Sequence, residues 1–194
     1  MDITPVTLSG RHVRLEPLSL DRLDQLCEVG IEESLWRWTV AKVQTVADMK
    51  EYLTAALTAQ AEGAALPFVT IEQSSGRIIG STRYANIDRD NLRLEIGWTW
   101  IAPAWQRTVI NTEAKYLMLL HAFEDMGCNR VEFKTDSLNE KSRRALLRIG
   151  ATEEGIFRNH MIVQGGRLRH SVFFSIIKSE WPAIKANLEA KLAQ

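Results

Sequence analysis

The residues of this chain that could do chemistry are concentrated between positions 92 and 112. Residues 92–101 read LRLEIGWTWI, and strand alternation would place them in two sets on opposite faces: Leu94, Ile96, Trp98 and Trp100 on one, and Glu95, Gly97, Thr99 and Ile101 on the other. A carboxylate and a hydroxyl in the middle of a strand are unusual for a plain core face. Glu95 is therefore a candidate for proton transfer.

A turn at residues 106–111 opens a helix at Thr112. Such a turn presents several backbone N–H groups in one direction, and the helix dipole adds a favourable field for an anion. The turn could therefore hold a phosphate group, and the Arg107 side chain could add a charge-assisted contact.

Neither the histidines nor the cysteines indicate a metal site. His12, His121, His160 and His170 lack the spacing of metal ligands, and His121 falls within an apolar helix where a core position is expected. Cys27 and Cys128 are far apart and form no CxxC motif. Two buried thiols in a reducing cytoplasm are expected, with a structural disulfide as the alternative.

Composition sets the broad class of the protein. The 194 residues carry 45% apolar and 25% charged side chains, typical of one globular domain over 1–194. The 24 basic and 24 acidic residues give a net charge of zero, which removes the simplest argument for nucleic-acid binding. The N-terminal residues form no apolar signal core and no run of about 20 apolar residues is present, so we expect a cytoplasmic protein without a membrane partner.

The elements that would position these residues follow from hydrophobic periodicity and turn signals. Strands are predicted at 11–17, 67–72, 77–84, 92–101, 130–135, 156–163 and 168–177, and helices at 19–29, 46–61, 111–126, 139–149 and 180–192. Thr45 with Asp48 forms a capping-box signature before the second helix. This order predicts a mixed α/β sheet with helices on both faces.

Several short motifs occur in a fixed order along the second half of the chain. They are Glu95-Ile96-Gly97-Trp98, Pro103-Ala104-Trp105, Thr112-Glu113-Ala114, Asn139-Glu140-Lys141-Ser142, Gly150-Ala151 and Glu154-Gly155. Together they resemble the GNAT superfamily of N-acetyltransferases, and more closely its branch of ribosomal-protein alanine N-acetyltransferases. The resemblance implies the GNAT fold, a central mixed sheet flanked by helices, and transfer of an acetyl group from acetyl-CoA to an amine.

The resemblance also implies which residues contact acetyl-CoA. These are strand residues for the pantetheine arm, the turn for the pyrophosphate, and one asparagine downstream: Thr99, Trp100, Ile101, Gln106, Arg107, Thr108, Val109, Ile110, Asn111, Thr112 and Asn139. Val109 and Asn111 occupy positions where the family has small residues, usually glycine. Either the turn keeps ordinary dihedral angles and still presents its amides, or coenzyme binding is weakened.

Proton transfer is assigned with alternatives left open. Glu95 is the first candidate for the base, acting through water, and Glu132 is the second; the alternative for Glu95 is a carboxylate paired with an arginine. The tyrosine that many family members use as a proton donor is replaced by Leu146. Ser142 could take that role, or Asn139 and Ser142 could simply cap their helix.

The acceptor site falls in the least motif-like segments. Trp36, Trp38 and His160 are candidates for contacting the acceptor, with ordinary packing as the alternative for the tryptophans. The acceptor would be a protein N-terminus or a small-molecule amine. A non-catalytic GNAT-fold binding protein is the rival interpretation, and a homodimer is possible.

Overall fold

Eight strands form one mixed sheet in the computed structural model, which describes residues 1–193. The strands are β1 (Leu8–Ser9), β2 (Val13–Pro17), β3 (Leu66–Glu72), β4 (Ile78–Asp88), β5 (Arg93–Ile101), β6 (Arg130–Asp136), β7 (Thr152–Ile162) and β8 (Leu168–Ile177). Their spatial order is β1-β2-β3-β4-β5-β6-β8-β7, and every neighbouring pair is antiparallel except β5 with β6. This mixed sheet is the predicted fold class, which is confirmed.

Six α-helices cover the sheet on both faces. They are α1 (Leu23–Gly30), α2 (Glu33–Trp36), α3 (Val46–Ala61), α4 (Ile110–Leu120), α5 (Glu140–Arg148) and α6 (Trp181–Leu192). The larger apolar core lies between the sheet and α4 and α6, while a second core lies under α1 and α3. Each fully buried Leu, Ile or Phe in these cores contributes roughly 2 kcal/mol. Among residues 1–193, no helix is long and apolar enough to cross a membrane.

The boundaries differ from the sequence prediction at a few places. The capping box of Thr45 and Asp48 is present at the start of α3, as predicted. Strand β1 and helix α2 were not predicted because each is too short for periodicity to detect. The predicted helix 111–126 is α-helical only to Leu120 and continues as a π-helical turn, next to the place where the buried Tyr84 hydroxyl donates to the Met118 carbonyl.

Glu113 joins the beginning of the chain to α4. Its buried carboxylate accepts hydrogen bonds from the backbone N–H groups of Arg11, His12 and Val13, at 2.9, 2.7 and 2.8 Å. A side chain at Gly10 would collide with this carboxylate, because an added Cβ would lie 2.5 Å from its carbon. The second residue of the Thr112-Glu113-Ala114 motif therefore fixes the turn before β2 onto α4.

We expect Glu113→Ala to lower the free energy of unfolding by about 3 kcal/mol, because three backbone N–H donors, one of them buried, would lose a charged acceptor. Urea denaturation of the purified variant measures this change. Glu28→Ala, which removes an exposed helical carboxylate, is the control and should change stability by less than about 0.5 kcal/mol. Equal effects of the two substitutions would contradict the structural role of Glu113.

Candidate active site

Strands β5 and β6 pair over three residues and then separate. The parallel register matches Arg93, Leu94 and Glu95 with Arg130, Val131 and Glu132, and no pairing continues beyond it. On its other side β5 remains paired with β4 as far as Ile101. The backbone of β5 from Gly97 to Ile101 therefore has an edge with no strand beside it in the described chain, and such an edge can pair with an extended ligand.

A bulge at Trp98 reverses the side-chain alternation of β5. Trp98 has a φ angle of 49°, and the register with β4 shifts between Ser81 and Arg83. Ile101 consequently packs with Leu94 and Ile96 in the larger core, while Trp100 packs in the smaller core under α3. The predicted face assignment is therefore wrong beyond Gly97, since one extra residue exchanges the two faces.

Thr99 faces α4, where it meets a buried lysine. The Lys115 Nζ atom donates to Thr99 Oγ1 at 2.8 Å, and Thr99 Oγ1 also shares a 2.7 Å hydrogen bond with Thr82 Oγ1. Lys115 is 7% exposed and has no ion pair within residues 1–193. Burial lowers the pKa of Lys115 from its usual 10.5 to about 7. A titratable group thus lies directly beneath the open edge of β5.

The turn before α4 has several free amides. The N–H groups of Trp105, Gln106 and Ile110 are hydrogen-bonded within the turn. Five others find no acceptor among residues 1–193: those of Arg107, Thr108, Val109, Asn111 and Thr112. They surround the N-terminus of α4, where the helix dipole favours an anion.

The dihedral angles of this turn show whether Val109 can occupy a position where the pattern expects a small residue. Val109 has φ −64° and ψ −23°, which any residue adopts, and Asn111 lies within the first turn of α4. The left-handed conformation belongs to Arg107, with φ 62°. The Gln106 side chain donates to the Ile101 carbonyl at 2.9 Å and ties the turn to the end of β5. Backbone strain therefore gives no reason for glycine at position 109.

Helix α5 begins on the other side of the gap between β5 and β6. Asn139 is its N-cap and accepts a hydrogen bond from the Ser142 N–H at 3.2 Å. Capping is thus confirmed for Asn139, and the half-buried Ser142 hydroxyl has no protein partner in the described chain. Leu146 is buried in the larger core, and the Thr112 hydroxyl accepts from Arg148 of α5 at 3.3 Å.

Glu95 is buried on the face of the sheet opposite α4. It is 4% exposed, accepts a hydrogen bond from Asn86 Nδ2 at 2.8 Å, and pairs with Lys134 Nζ at 3.3 Å. Its other oxygen extends over Gly97, where an added Cβ would lie 3.0 Å away. The alternative interpretation, a carboxylate paired with an arginine, is corrected to a pair with a lysine.

An open cavity of about 790 Å³ brings several predicted residues together. Glu95, Glu132, Lys134, His160 and Phe173 line part of it. His160 Nδ1 is hydrogen-bonded to Ser171 Oγ at 3.0 Å, and partial burial lowers the pKa of this imidazole. Glu132 is paired with Arg130 at 2.7 Å and Glu95 with Lys134 at 3.3 Å, so both candidate bases have an ion-pair partner.

The two candidate tryptophans have different environments. Trp36 is buried against Tyr52 and Trp100, and its Nε1 donates to the Gly30 carbonyl, which is the packing alternative. Trp38 is half-buried, with the Arg167 guanidinium 5.5 Å from its ring centre. Gln164, between β7 and β8, donates to the Trp36 carbonyl and connects this segment to the far side of the gap.

Two functional candidates were missed from the sequence. Alternation in the strand 130–135 places Lys134 on the same face as Glu132, so the charge beside Glu95 could have been found. Lys115 lies in an almost wholly apolar helix, and a lone lysine in such a helix is itself a signal of a special position. Its partner Thr99 could not be found from the sequence, because the bulge at Trp98 decides which face of β5 Thr99 occupies.

Known proteins are similar to this chain in sequence and in fold. The family model for the Acetyltransferase (GNAT) domain matches residues 12–152. The "Putative ribosomal N-acetyltransferase YdaF" of Bacillus subtilis (strain 168) is 37% identical over 111 residues, covering 57% of this chain and 59% of that relative. This match therefore spans less than two thirds of the relative.

Two solved structures have the same fold. A GCN5-related N-acetyltransferase from Brucella melitensis superposes with a TM-score of 0.90 at 34% identity, over 97% of this chain and 86% of that one. Mycobacterium smegmatis RimJ in complex with CoA-disulfide has a TM-score of 0.85 at 22% identity, over 97% and 96% of the two chains. At this lower identity the second match shows the fold alone.

We expect Lys115→Met to stabilise the protein most at acidic pH. The folded chain binds the lysine proton less readily than the unfolded chain, so the penalty is complete below about pH 7 and fades as pH rises toward the unfolded value. The difference in unfolding free energy between variant and wild type should shrink by about 1.4 kcal/mol per pH unit between about pH 7 and 10. Urea denaturation across this range measures it.

Lys115→Arg is the matched control, because guanidinium stays charged throughout this range. Its destabilisation relative to wild type should grow as pH rises from about 7 to 10, because wild type loses its buried charge over this range and the arginine does not. A pH-independent difference between Lys115→Met and wild type would refute a buried lysine with a lowered pKa.

Proposed function

Because the chain belongs to the GNAT acetyltransferase family, we propose that it transfers an acetyl group from acetyl-CoA to a primary amine. The observation that carries this proposal is the unpaired edge of β5 from Gly97 to Ile101, next to the free amides that begin at Arg107. An extended arm with a pyrophosphate at one end requires those two features side by side.

The coenzyme would bind along this path as substrate. Thr99, Trp100 and Ile101 offer backbone groups to the pantetheine arm, and the amides around Val109 offer hydrogen bonds to the pyrophosphate. RimJ of Mycobacterium smegmatis, which has the same fold, binds CoA-disulfide. The ordinary dihedral angles of Val109 support retained binding in spite of its side chain.

The reaction would be a direct attack. The neutral amine nitrogen forms a bond to the thioester carbonyl carbon, the carbon–sulfur bond breaks, and the amine loses one proton. Glu95 is buried beside the open edge and takes this proton through water. The Ser142 hydroxyl, at the start of α5, would hydrogen-bond the departing sulfur and pass it a proton that water restores to the serine, in place of the tyrosine that Leu146 replaces.

The acceptor is a protein N-terminus or a small-molecule amine. A relative with a ribosomal N-acetyltransferase name supports a protein amine. His160 lines the same cavity as Glu95 and Lys134, and Trp38 lies under the Arg167 guanidinium, so these two residues are the proposed contacts with the acceptor, while Trp36 is buried. Residues 1–193 contain no group of three or more His, Cys, Asp or Glu side chains that could hold a metal ion.

The rival function is ligand binding without turnover. Val109 in the turn and Leu146 on α5 favour it, because each departs from the family pattern. Acetyl-CoA binding followed by an acceptor screen that detects free thiol separates the two functions. Binding without thiol release across protein N-terminal peptides and small amines would favour the rival.

We expect wild-type protein to bind acetyl-CoA with micromolar affinity, and Val109→Glu to weaken binding by at least about tenfold. The added carboxylate would repel the pyrophosphate at the free amides. Isothermal titration calorimetry measures both. Val46→Glu, at a position 53% exposed at the start of α3, is the control and should leave the affinity unchanged. No binding by the wild type would reject the proposal.

We expect Glu95→Gln to lower kcat by about 10²-fold or more, because general-base assistance contributes about that much. The affinity for acetyl-CoA should stay within about twofold, since Glu95 does not touch the proposed coenzyme path. Steady-state thiol release and calorimetry measure the two quantities. Glu132→Gln is the comparison, and a larger loss of kcat there would transfer the role of base to Glu132.

A further inference from the structure

Carboxylates near the gap between β5 and β6 are matched by cations. The pairs are Glu95 with Lys134, Glu132 with Arg130, and Asp136 with Arg167, at N–O distances of 3.3, 2.7 and 2.5 Å. Asp136 also accepts the Leu138 N–H at 3.0 Å. Each of these three carboxylates therefore already has a paired cation.

Two arginines in the same region have no partner. Arg83 is 6% exposed and Arg169 is 5% exposed, yet neither forms an ion pair or a side-chain hydrogen bond within residues 1–193. The Nε atoms of both are buried without an acceptor. A buried donor of a charged group that lacks an acceptor costs free energy, and an anionic ligand would supply that acceptor.

Arg83 belongs to the β5 side of the gap. It lies on β4 directly opposite Gly97, the residue over which the Glu95 carboxylate extends. Its guanidinium lies between the rings of Tyr52 and Trp98, 5.0 and 5.1 Å from their centres. These cation–π contacts offset part of the burial cost and fix the orientation, but they leave the hydrogen-bond donors unused.

Arg169 belongs to the other side, on β8. Burial lowers the pKa of its guanidinium, while the charges of Asp136 and Glu95 oppose that change. Arg169 and Ser171 are two residues apart on β8 and therefore share a face of the sheet. The Ser171 hydroxyl is hydrogen-bonded to His160, which lines the same cavity as Glu95, so Arg169 lies on the cavity face.

We infer that the acceptor amine carries a carboxylate close to the reacting nitrogen, and that Arg169 binds this carboxylate while Arg83 supplies the second unmatched positive charge. A planar guanidinium offers two parallel N–H donors to a carboxylate, which fixes the distance of the bound group. The inference rests on the proposed acetyl transfer. The carboxylate could be that of a free amino acid or an acidic side chain next to a peptide N-terminus.

Matched acceptor pairs test the charge preference. One arm compares free amino acids with their carboxamides, and the other compares N-terminal peptides that have Glu or Gln at the second position. Thiol release from acetyl-CoA gives kcat/KM for each. The carboxylate member of at least one arm should exceed its neutral match by about tenfold or more, as expected for a charged bidentate contact. The arm that shows the preference identifies the source of the carboxylate.

Arg169→Met should remove this preference. It should lower kcat/KM for the carboxylate acceptor by about tenfold and leave the neutral acceptor within about twofold. Arg83→Met should have a smaller effect in the same direction. Lys178→Met removes the same unit of charge from an exposed position just beyond β8, and should leave the preference intact.

Thermal unfolding supplies a readout that distinguishes ligand binding from a structural role. Arg169→Met should melt at or above the wild-type temperature, because it removes an unmatched buried charge and retains an apolar side chain. A marked fall in melting temperature would show that Arg169 supports the fold, and would overturn the inference.

Product binding makes the test independent of turnover. The N-acetylated forms of the same pairs, titrated calorimetrically into the protein with CoA, should bind more tightly by about tenfold when they carry the carboxylate. If no acceptor gives thiol release but the carboxylate products still bind about tenfold more tightly, the result would refute catalysis and support the carboxylate site. Equal or weaker binding of the carboxylate products, or a preference that survives Arg169→Met, would overturn it.

Discussion

The separation of β5 from β6 is the constraint on which the rest of the structure depends. Two adjacent parallel strands normally share hydrogen bonds along their length, and each unpaired backbone group that is buried costs free energy. Here pairing ends after Glu95 and Glu132, and the bulge at Trp98 directs β5 away. The unpaired edge can accept an extended ligand, and the gap separates the two sides that carry the residues proposed to contact the acceptor.

Helix α4 holds this arrangement in place at three points along its length. Its N-terminus presents the free amides, Glu113 fixes the turn before β2, and Lys115 reaches Thr99 under the open edge. The first residues of the chain are thus tied to the helix that opens the proposed coenzyme site. All three contacts are made by residues in the first half of α4 or in the turn before it, so each lies close to the proposed coenzyme site.

Much of the fold could be predicted from the sequence because its patterns are local. Alternation and helical spacing gave every strand of five or more residues, and Thr45 with Asp48 marked the start of α3 correctly. The short elements β1 and α2 were not predicted, because each contains too few residues to show a hydrophobic period. The order of motifs from Glu95 to Gly155 was enough to indicate the family.

Side-chain partners were decided only by the tertiary structure. The sequence determined which charges exist, their zero sum, and the strands and helices that carry them. Folding over separations of 30 to 100 residues determined that Glu113 meets residues 11–13, that Asp136 pairs with Arg167, and that Arg83 and Arg169 pair with nothing in residues 1–193. The bulge at Trp98 could not be predicted from the sequence. A single residue in the left-handed conformation moves every later side chain of the strand to the opposite face of the sheet, and the composition does not show it.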